Sequence, residues 1–323
     1  MRRNALKTGM GDPTTMFRGK LWVRGIAVLL LLAAGGCRTY SPSAIPGDEI
    51  IVAGQRFHTG TRVVTWHEPS GYNGYVDGKR IVPRPTSLRH ADRPRDTQPD
   101  WTVRRLGKVV DQFVLHYDVC GVSKVCFDVL HARGLSVHFL LDVDGTIYQT
   151  LDLQERALHA TSSNDRSIGI EIANIGAYPP DTAQPLARWY RRDLTSASGA
   201  VLTVPTEIAD PRILTPGFVG RPDRPGPVSG IVQGQSLLQY DLTPEQYAAL
   251  TRLTAALCAI FPRLRDDYPR DAAGEPLARK LPDAELARYR GIIGHYHIQE
   301  NKVDPGPAFQ WKRFLDDVRR LLK

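Results

Sequence analysis

The stretch from Phe113 to Asn174 constrains the fold most, because short apolar runs alternate there with one amphipathic helix and one tight turn. "FVLHY" (Phe113 to Tyr117) is a short apolar strand, and Ser123 to Arg133 has helical spacing, with a serine N-cap and Gly134 just past its end. "LSVHFLLDVDGTIYQTL" then reads as two strands joined at Asp144 and Gly145, the Asp-Gly hairpin signal. In "SIGIEIAN" (Ser167 to Asn174), Ile168, Ile170 and Ile172 fall on one face and Gly169, Glu171 and Ala173 on the other. This succession predicts an α/β fold with a central mixed β-sheet flanked by helices. It also places an acid, Glu171, inside a strand, where an unpartnered charge is costly to bury.

Regular patterning returns near the carboxyl end. In "LTPEQYAALTRLTAALCAIF", Thr243 and Gln246 form a capping box and Pro244 takes the first helical position. Leu250, Leu253, Leu257 and Phe261 make the apolar stripe, in which Cys258 reads as core. "GIIGH" is a further strand, and Ala308 to Leu322 a last amphipathic helix. Residues 177–240 are rich in Pro and Gly without sustained period, and are expected to be an insertion over one edge of the domain. Residues 49–83 alternate short β-like runs with turns, and His58 and His67 there carry no visible chemistry. Residues 84–100 are charged and proline-rich, a linker or a wrapping arm. The expected division is thus a leader over 1–36, a tether and β-like extension over 37–100, and a catalytic domain over 101–323.

The leader bears on location. Arg18, Lys20 and Arg24 precede the apolar run Ile26 to Ala34, which "AGGC" follows, ending at Cys37. A spanning helix needs ~20 apolar residues, so the run suits the core of a secretory signal instead. Small residues before a cysteine resemble a bacterial lipobox, in which Cys37 is lipidated and begins the mature chain. "RTYSPSAIPGDE" then reads as a polar tether. Arg38 is not the aspartate that commonly retains lipoproteins at the inner membrane, so an outer-membrane anchor facing the periplasm is expected. The net charge of +8 suits an anionic partner. No arginine-rich segment interleaved with aromatics is present, so nucleic acid is not the expected one. In an oxidising compartment Cys120 and Cys126, in "CGVSKVC", could form a short-loop disulfide, or Cys126 could be a buried thiol on the helix.

"GHYHIQENKVDPGP" (Gly294 to Pro307) carries the chemistry. A hydrolytic zinc site commonly has three protein ligands and keeps a fourth position open. His295 at a strand end and Asp304 in the loop beyond could supply two, and His116, ending the strand "FVLH", is the candidate third. His297 is an alternative to His295. His138 reads as a packed, hydrogen-bonded core histidine and His131 as surface.

In order, the chain carries "FVLH", "LSVHF", "DGTIYQ", "RALHA", "SIGIE", "GH" and "KVDPGPAFQW". This series resembles the zinc-dependent N-acetylmuramoyl-L-alanine amidases of the type 2 family, which include phage amidase lysozymes and animal peptidoglycan recognition proteins. The resemblance implies Zn2+ held by His116, His295 and Asp304 at one edge of the sheet. It further implies Glu171 as general base, Lys302 as the cation facing the developing oxyanion, and His159 as a substrate-facing residue. The implied substrate is peptidoglycan or a muropeptide, cut between N-acetylmuramic acid and L-alanine. Leu158 stands where the family usually has Trp, which removes one aromatic wall. Animal members have a disulfide with the same Cys-x5-Cys spacing, which favours a bridge between Cys120 and Cys126. Two other readings compete: a peptidoglycan-binding module that does not cut, and a zinc amidase acting on another amide. Binding modules typically lack a metal ligand, whereas the full set is present here.

Overall fold

The computed structural model describes residues 38–77, 80–81, 90–93, 100–193 and 199–323. The leader and Cys37 lie outside the described residues. A six-stranded sheet organises the body. Its strands, in chain order, are β1 (Val63–Thr65), β2 (Gln112–Tyr117), β3 (Phe139–Leu141), β4 (Ile147–Gln149), β5 (Ser167–Ile172) and β6 (Gly291–Gly294). Their spatial order is β6-β2-β5-β3-β4-β1. Only the β3–β4 hairpin is antiparallel; the other four pairings are parallel, so the sheet is mixed.

The alternation of side chains across β2 and β5 divides the sheet into two faces. Phe113, Leu115, Ile168, Ile170, Ile172 and Ile292 belong to the large buried core. That core also holds Leu250, Leu253 and Leu257 of helix α2 (Pro244–Ile260) and Phe314, Leu315 and Val318 of helix α3 (Trp311–Leu321). Burying each such side chain stabilises by about 1.5–3 kcal/mol. The capping box of α2 is formed as its sequence predicts: Thr243 Oγ1 accepts the Gln246 N–H at 3.1 Å, and Gln246 Oε1 accepts the Thr243 N–H at 3.0 Å. Helix α1 (Ser123–Ala132) starts one residue earlier than expected for a serine cap, since Val122 holds the cap position without a side-chain bond.

The segment ahead of residue 101 is more than an extension. β1 is the sixth strand of the sheet, paired in parallel with β4. Arg93, in the stretch that reads as linker or arm, is 1% exposed, and its guanidinium donates to the carbonyls of Leu153, Asn164, Asp165 and Ser167. The expected tether is also ordered from its second residue. Thr39 and Lys323 exchange two backbone hydrogen bonds of 3.0 Å, and Arg38 pairs with Asp266 at 2.8 Å.

The insertion over 177–240 contains a short helix (Gln184–Trp189), a small ribbon (Tyr190–Arg192 with Ala200–Leu202) and a hairpin (Val228–Val232 with Gln235–Gln239). Gln239 at the hairpin's end is buried, donates to the Pro305 carbonyl at 3.0 Å and accepts the Ala308 N–H at 3.0 Å. The insertion thereby braces the loop that carries Asp304.

Candidate metal centre

Strand register assembles the site. Glu171 pairs with His116, and Gly294 pairs with Leu115, so His295, His116 and Glu171 reach the same level on three neighbouring strands or strand ends. Paired residues of parallel strands face the same way, which puts Glu171 beside His116 on the face opposite the main core. Gly169, two residues earlier, leaves room on that face. A Cβ there would lie 2.5 Å from ring atoms of His159, so a side chain at 169 would displace that imidazole.

Three ligand atoms converge. His116 Nδ1 lies 3.0 Å from His295 Nδ1 and 2.9 Å from Asp304 Oδ2, and His295 Nδ1 lies 3.1 Å from the same carboxylate oxygen. All three residues are buried. The remaining ring nitrogens have partners of their own: His116 Nε2 is 3.0 Å from His159 Nδ1, and His295 Nε2 is 2.6 Å from Gln299 Oε1. Burial, followed by the neighbouring His295, lowers the pKa of His116 to about 4, so it is neutral near pH 7. Although burial alone would raise Asp304, His295 and His116 hold its carboxylate well below the usual range.

One pair of tautomers suits a metal. If Nε2–H of each histidine donates to His159 or Gln299, both Nδ1 lone pairs face Asp304 Oδ2, and a cation takes the place of the hydrogen bonds that otherwise hold the carboxylate. Two imidazole nitrogens and a carboxylate oxygen brought together in this way fit a divalent cation, with a fourth position left for another ligand. His159 and Gln299 then act as the outer partners that fix ring orientation.

Glu171, Lys302, His159 and Leu158 line the same cavity, of about 160 Å³, as the three converging residues. Burial, and then the charges of Asp304 and Asp118, push the Glu171 carboxyl well above the carboxylate range, while Lys302 pulls it down. Such a carboxyl is a stronger proton acceptor than an ordinary surface acid.

The structure separates the remaining histidines from the centre. His297 is fully buried, with Nδ1 accepting the Gly294 N–H at 2.9 Å and Nε2 2.6 Å from the Leu277 carbonyl, so both nitrogens are engaged elsewhere. His138 accepts the Gly169 N–H at 3.1 Å and contacts the Glu155 carbonyl at 3.0 Å, a packed core histidine. The bridge between Cys120 and Cys126 is not formed; both are free thiols. Cys126 is buried in a small apolar cluster with Leu140 and Tyr148, and Cys120 sits in a loop folded onto Asp118. Their sulfurs lie side by side within 4.8 Å, rather than joined at the ~2.05 Å of a bond.

Two supporting residues escaped the sequence reading. Gln299 stands four residues after His295, and that one-turn spacing was a usable signal. Gln239 lies 65 residues before Asp304 in a segment without periodicity, and nothing local marked it.

Comparison with known proteins adds to this geometry. Residues 106–195 match the family described as N-acetylmuramoyl-L-alanine amidase. Residues 106–195 are thus the part of the chain that is similar to this amidase family. That segment includes His116, His159 and Glu171, while His295, Lys302 and Asp304 lie beyond it and are brought in by β6. Several solved amidases are similar. One is the N-acetylmuramyl-L-alanine amidase AmiD of E. coli, in complex with anhydro-N-acetylmuramic acid-L-Ala-D-gamma-Glu-L-Lys, at 17% identity and TM-score 0.37. The similarity covers 69% of this chain and 60% of AmiD. A selenomethionine AmpD derivative is 20% identical over 72% of this chain and 96% of its own, at TM-score 0.32. The endolysin amidase LysCS of Clostridium intestinale URNW is 14% identical over 66% and 86%, at TM-score 0.35. No curated protein matches the chain.

Proposed function

We propose that the chain is a zinc-dependent amidase that hydrolyses the amide between N-acetylmuramic acid and L-alanine in peptidoglycan or its fragments. The observation that carries this reading is the convergence of His116 Nδ1, His295 Nδ1 and Asp304 Oδ2 within 3.1 Å of one another, with Glu171 in register beside them. His116, His295 and Asp304 would hold the zinc, which when bound supplies Lewis acidity to the scissile carbonyl and the attacking water.

The chain's own residues do the rest. Glu171 takes the proton of the attacking water and hands it to the departing amine of L-alanine. The Lys302 ammonium faces the negative charge that develops on the carbonyl oxygen. His159 and Gln299 keep the two imidazoles turned inward through the transfer. Partial burial of the cavity limits the water that would screen these charges.

Mass spectrometry of peptidoglycan treated with the purified protein tests the reading. Stem peptides beginning at L-alanine are expected, and Glu171→Ala should keep fold and metal but lose turnover on the order of a hundredfold. Lys302→Ala should behave in the same way. Binding to the wall without cleavage by the metal-loaded wild type would sink the hydrolase.

We propose also that the protein is exported and lipidated at Cys37, which the apolar run and "AGGC" support. Among the described residues no helix is long and apolar enough to cross a membrane. A fatty-acid analogue should label the wild type and leave Cys37→Ala unlabelled.

A further inference from the structure

The proposed reaction leaves one group of side chains in the same cavity unused. Asp118, Cys120 and Cys126 line it together with the His116 cluster. They offer one carboxylate oxygen and two sulfurs, all within 4.8 Å of one another. Local folding brings them together. Asp118 directly follows β2, and its Oδ1 accepts the N–H of Cys120 and of Gly121, each at 2.9 Å, and that of Asn174 at 3.1 Å. The chain therefore doubles back after Asp118 and sets Cys120 against Cys126 in the first part of α1.

The second carboxylate oxygen is the one that lacks an explanation. Asp118 Oδ2 is sealed from solvent and has no hydrogen-bond partner. A buried acceptor left so costs about 1–3 kcal/mol, and more if charged. Within 4.8 Å of one oxygen of this carboxylate stand the sulfurs of two free thiols, of which Cys126 is buried.

We propose that Asp118, Cys120 and Cys126 form a second metal site, selective for a thiophilic divalent cation such as zinc. Two sulfurs and one carboxylate oxygen are a soft donor set, which favours zinc or cadmium over magnesium or calcium. Zinc bonds of about 2.3 Å to sulfur and about 2.0–2.2 Å to oxygen place neighbouring tetrahedral ligands about 3.5–3.8 Å apart, so small side-chain movements close the site. On binding, two S–H protons leave to solvent as two metal–sulfur bonds form, and the carboxylate contributes the third ligand. The site differs in donors from the His116 cluster, which has two nitrogens and one oxygen. It stands on its own residues and does not depend on the amidase reading.

That difference makes the site separately visible. Thiolate bound to cadmium gives an ultraviolet charge-transfer absorption, and imidazole and carboxylate ligands give none. The full chain is reduced, freed of reductant and titrated with cadmium chloride alone. The wild type should develop the band, and His116→Ala should develop it equally. Cys120→Ser and Cys126→Ser should each lose most of it, while Cys37→Ser and Cys258→Ser keep it. Asp118→Asn should weaken the titration on the order of tenfold or more. Absence of the band in the wild type would overturn the site, without any variant having to fold. So would an unchanged band in Cys120→Ser, or peptide mapping of the protein as isolated that finds Cys120 joined to Cys126.

Discussion

His295 and His297 are two residues apart and chemically alike, yet they occupy opposite roles in the structure. His295 aims Nδ1 into the converging group, while His297 spends both nitrogens on the Gly294 N–H and the Leu277 carbonyl. Zinc content measured after gel filtration should therefore fall by one equivalent in His295→Ala and stay unchanged in His297→Gln; the opposite pattern would exchange the assignments. Buried His297 also titrates differently from a free histidine. Burial lowers its pKa from 6.5 to about 3, so between these values the unfolded chain binds a proton that the native one does not. Its contribution to stability is full above pH 6.5 and is lost as pH falls towards 3. The stability gap between wild type and His297→Gln, read from urea unfolding, should narrow by about 2 kcal/mol between pH 7.5 and pH 5. A constant gap would show that His297 is not held neutral. The motifs made His116, Glu171 and Asp304 legible because each sits in a short patterned segment. The preference for His295 over His297 was legible in the "GH" match and the strand end, whereas the carbonyl at Leu277 that engages His297 was not, because sequence spacing does not reveal it.

At the scale of elements, the sheet strands and α2 could be read from period and capping, and the insertion could not. Its hairpin is short, lacks a sustained alternation, and gains its order from contact with the Asp304 loop. Gly306 shows how close that contact is: with φ of 88° it occupies the left-handed region, and a Cβ there would lie 2.1 Å from Gln239 Oε1. Gln239→Leu would strand the Pro305 carbonyl and the Ala308 N–H in the interior. The Asp304 loop should loosen, and zinc affinity, measured by competition with a chelator, should drop on the order of ten- to a hundredfold. Unchanged affinity would mean that the Asp304 loop holds its own shape and the insertion serves something else.

For the molecule as a whole, the sequence suggests a boundary at residue 101 that the packing does not respect. β1 and Arg93 come from before it, and the sheet and the segment from Leu153 to Ser167 are completed by them. Such contributions are invisible in a sequence because a three-residue strand and a lone arginine carry no period. A chain beginning at Trp101 should melt at least several degrees below one beginning at Arg38. Equal melting temperatures would make the earlier segment dispensable to the fold.

Thr39 and Lys323 hold each other's backbone groups, and Arg38 is tied to Asp266. If a lipid is attached at Cys37, almost no slack separates it from the folded body. A flexible linker of n residues sweeps roughly 5–6 Å × √n, and here that sweep vanishes. The folded body would pivot about its attachment point, and its reach from the membrane would be set by its own size, roughly 50 Å by the scaling of compact domains, and not by a tether.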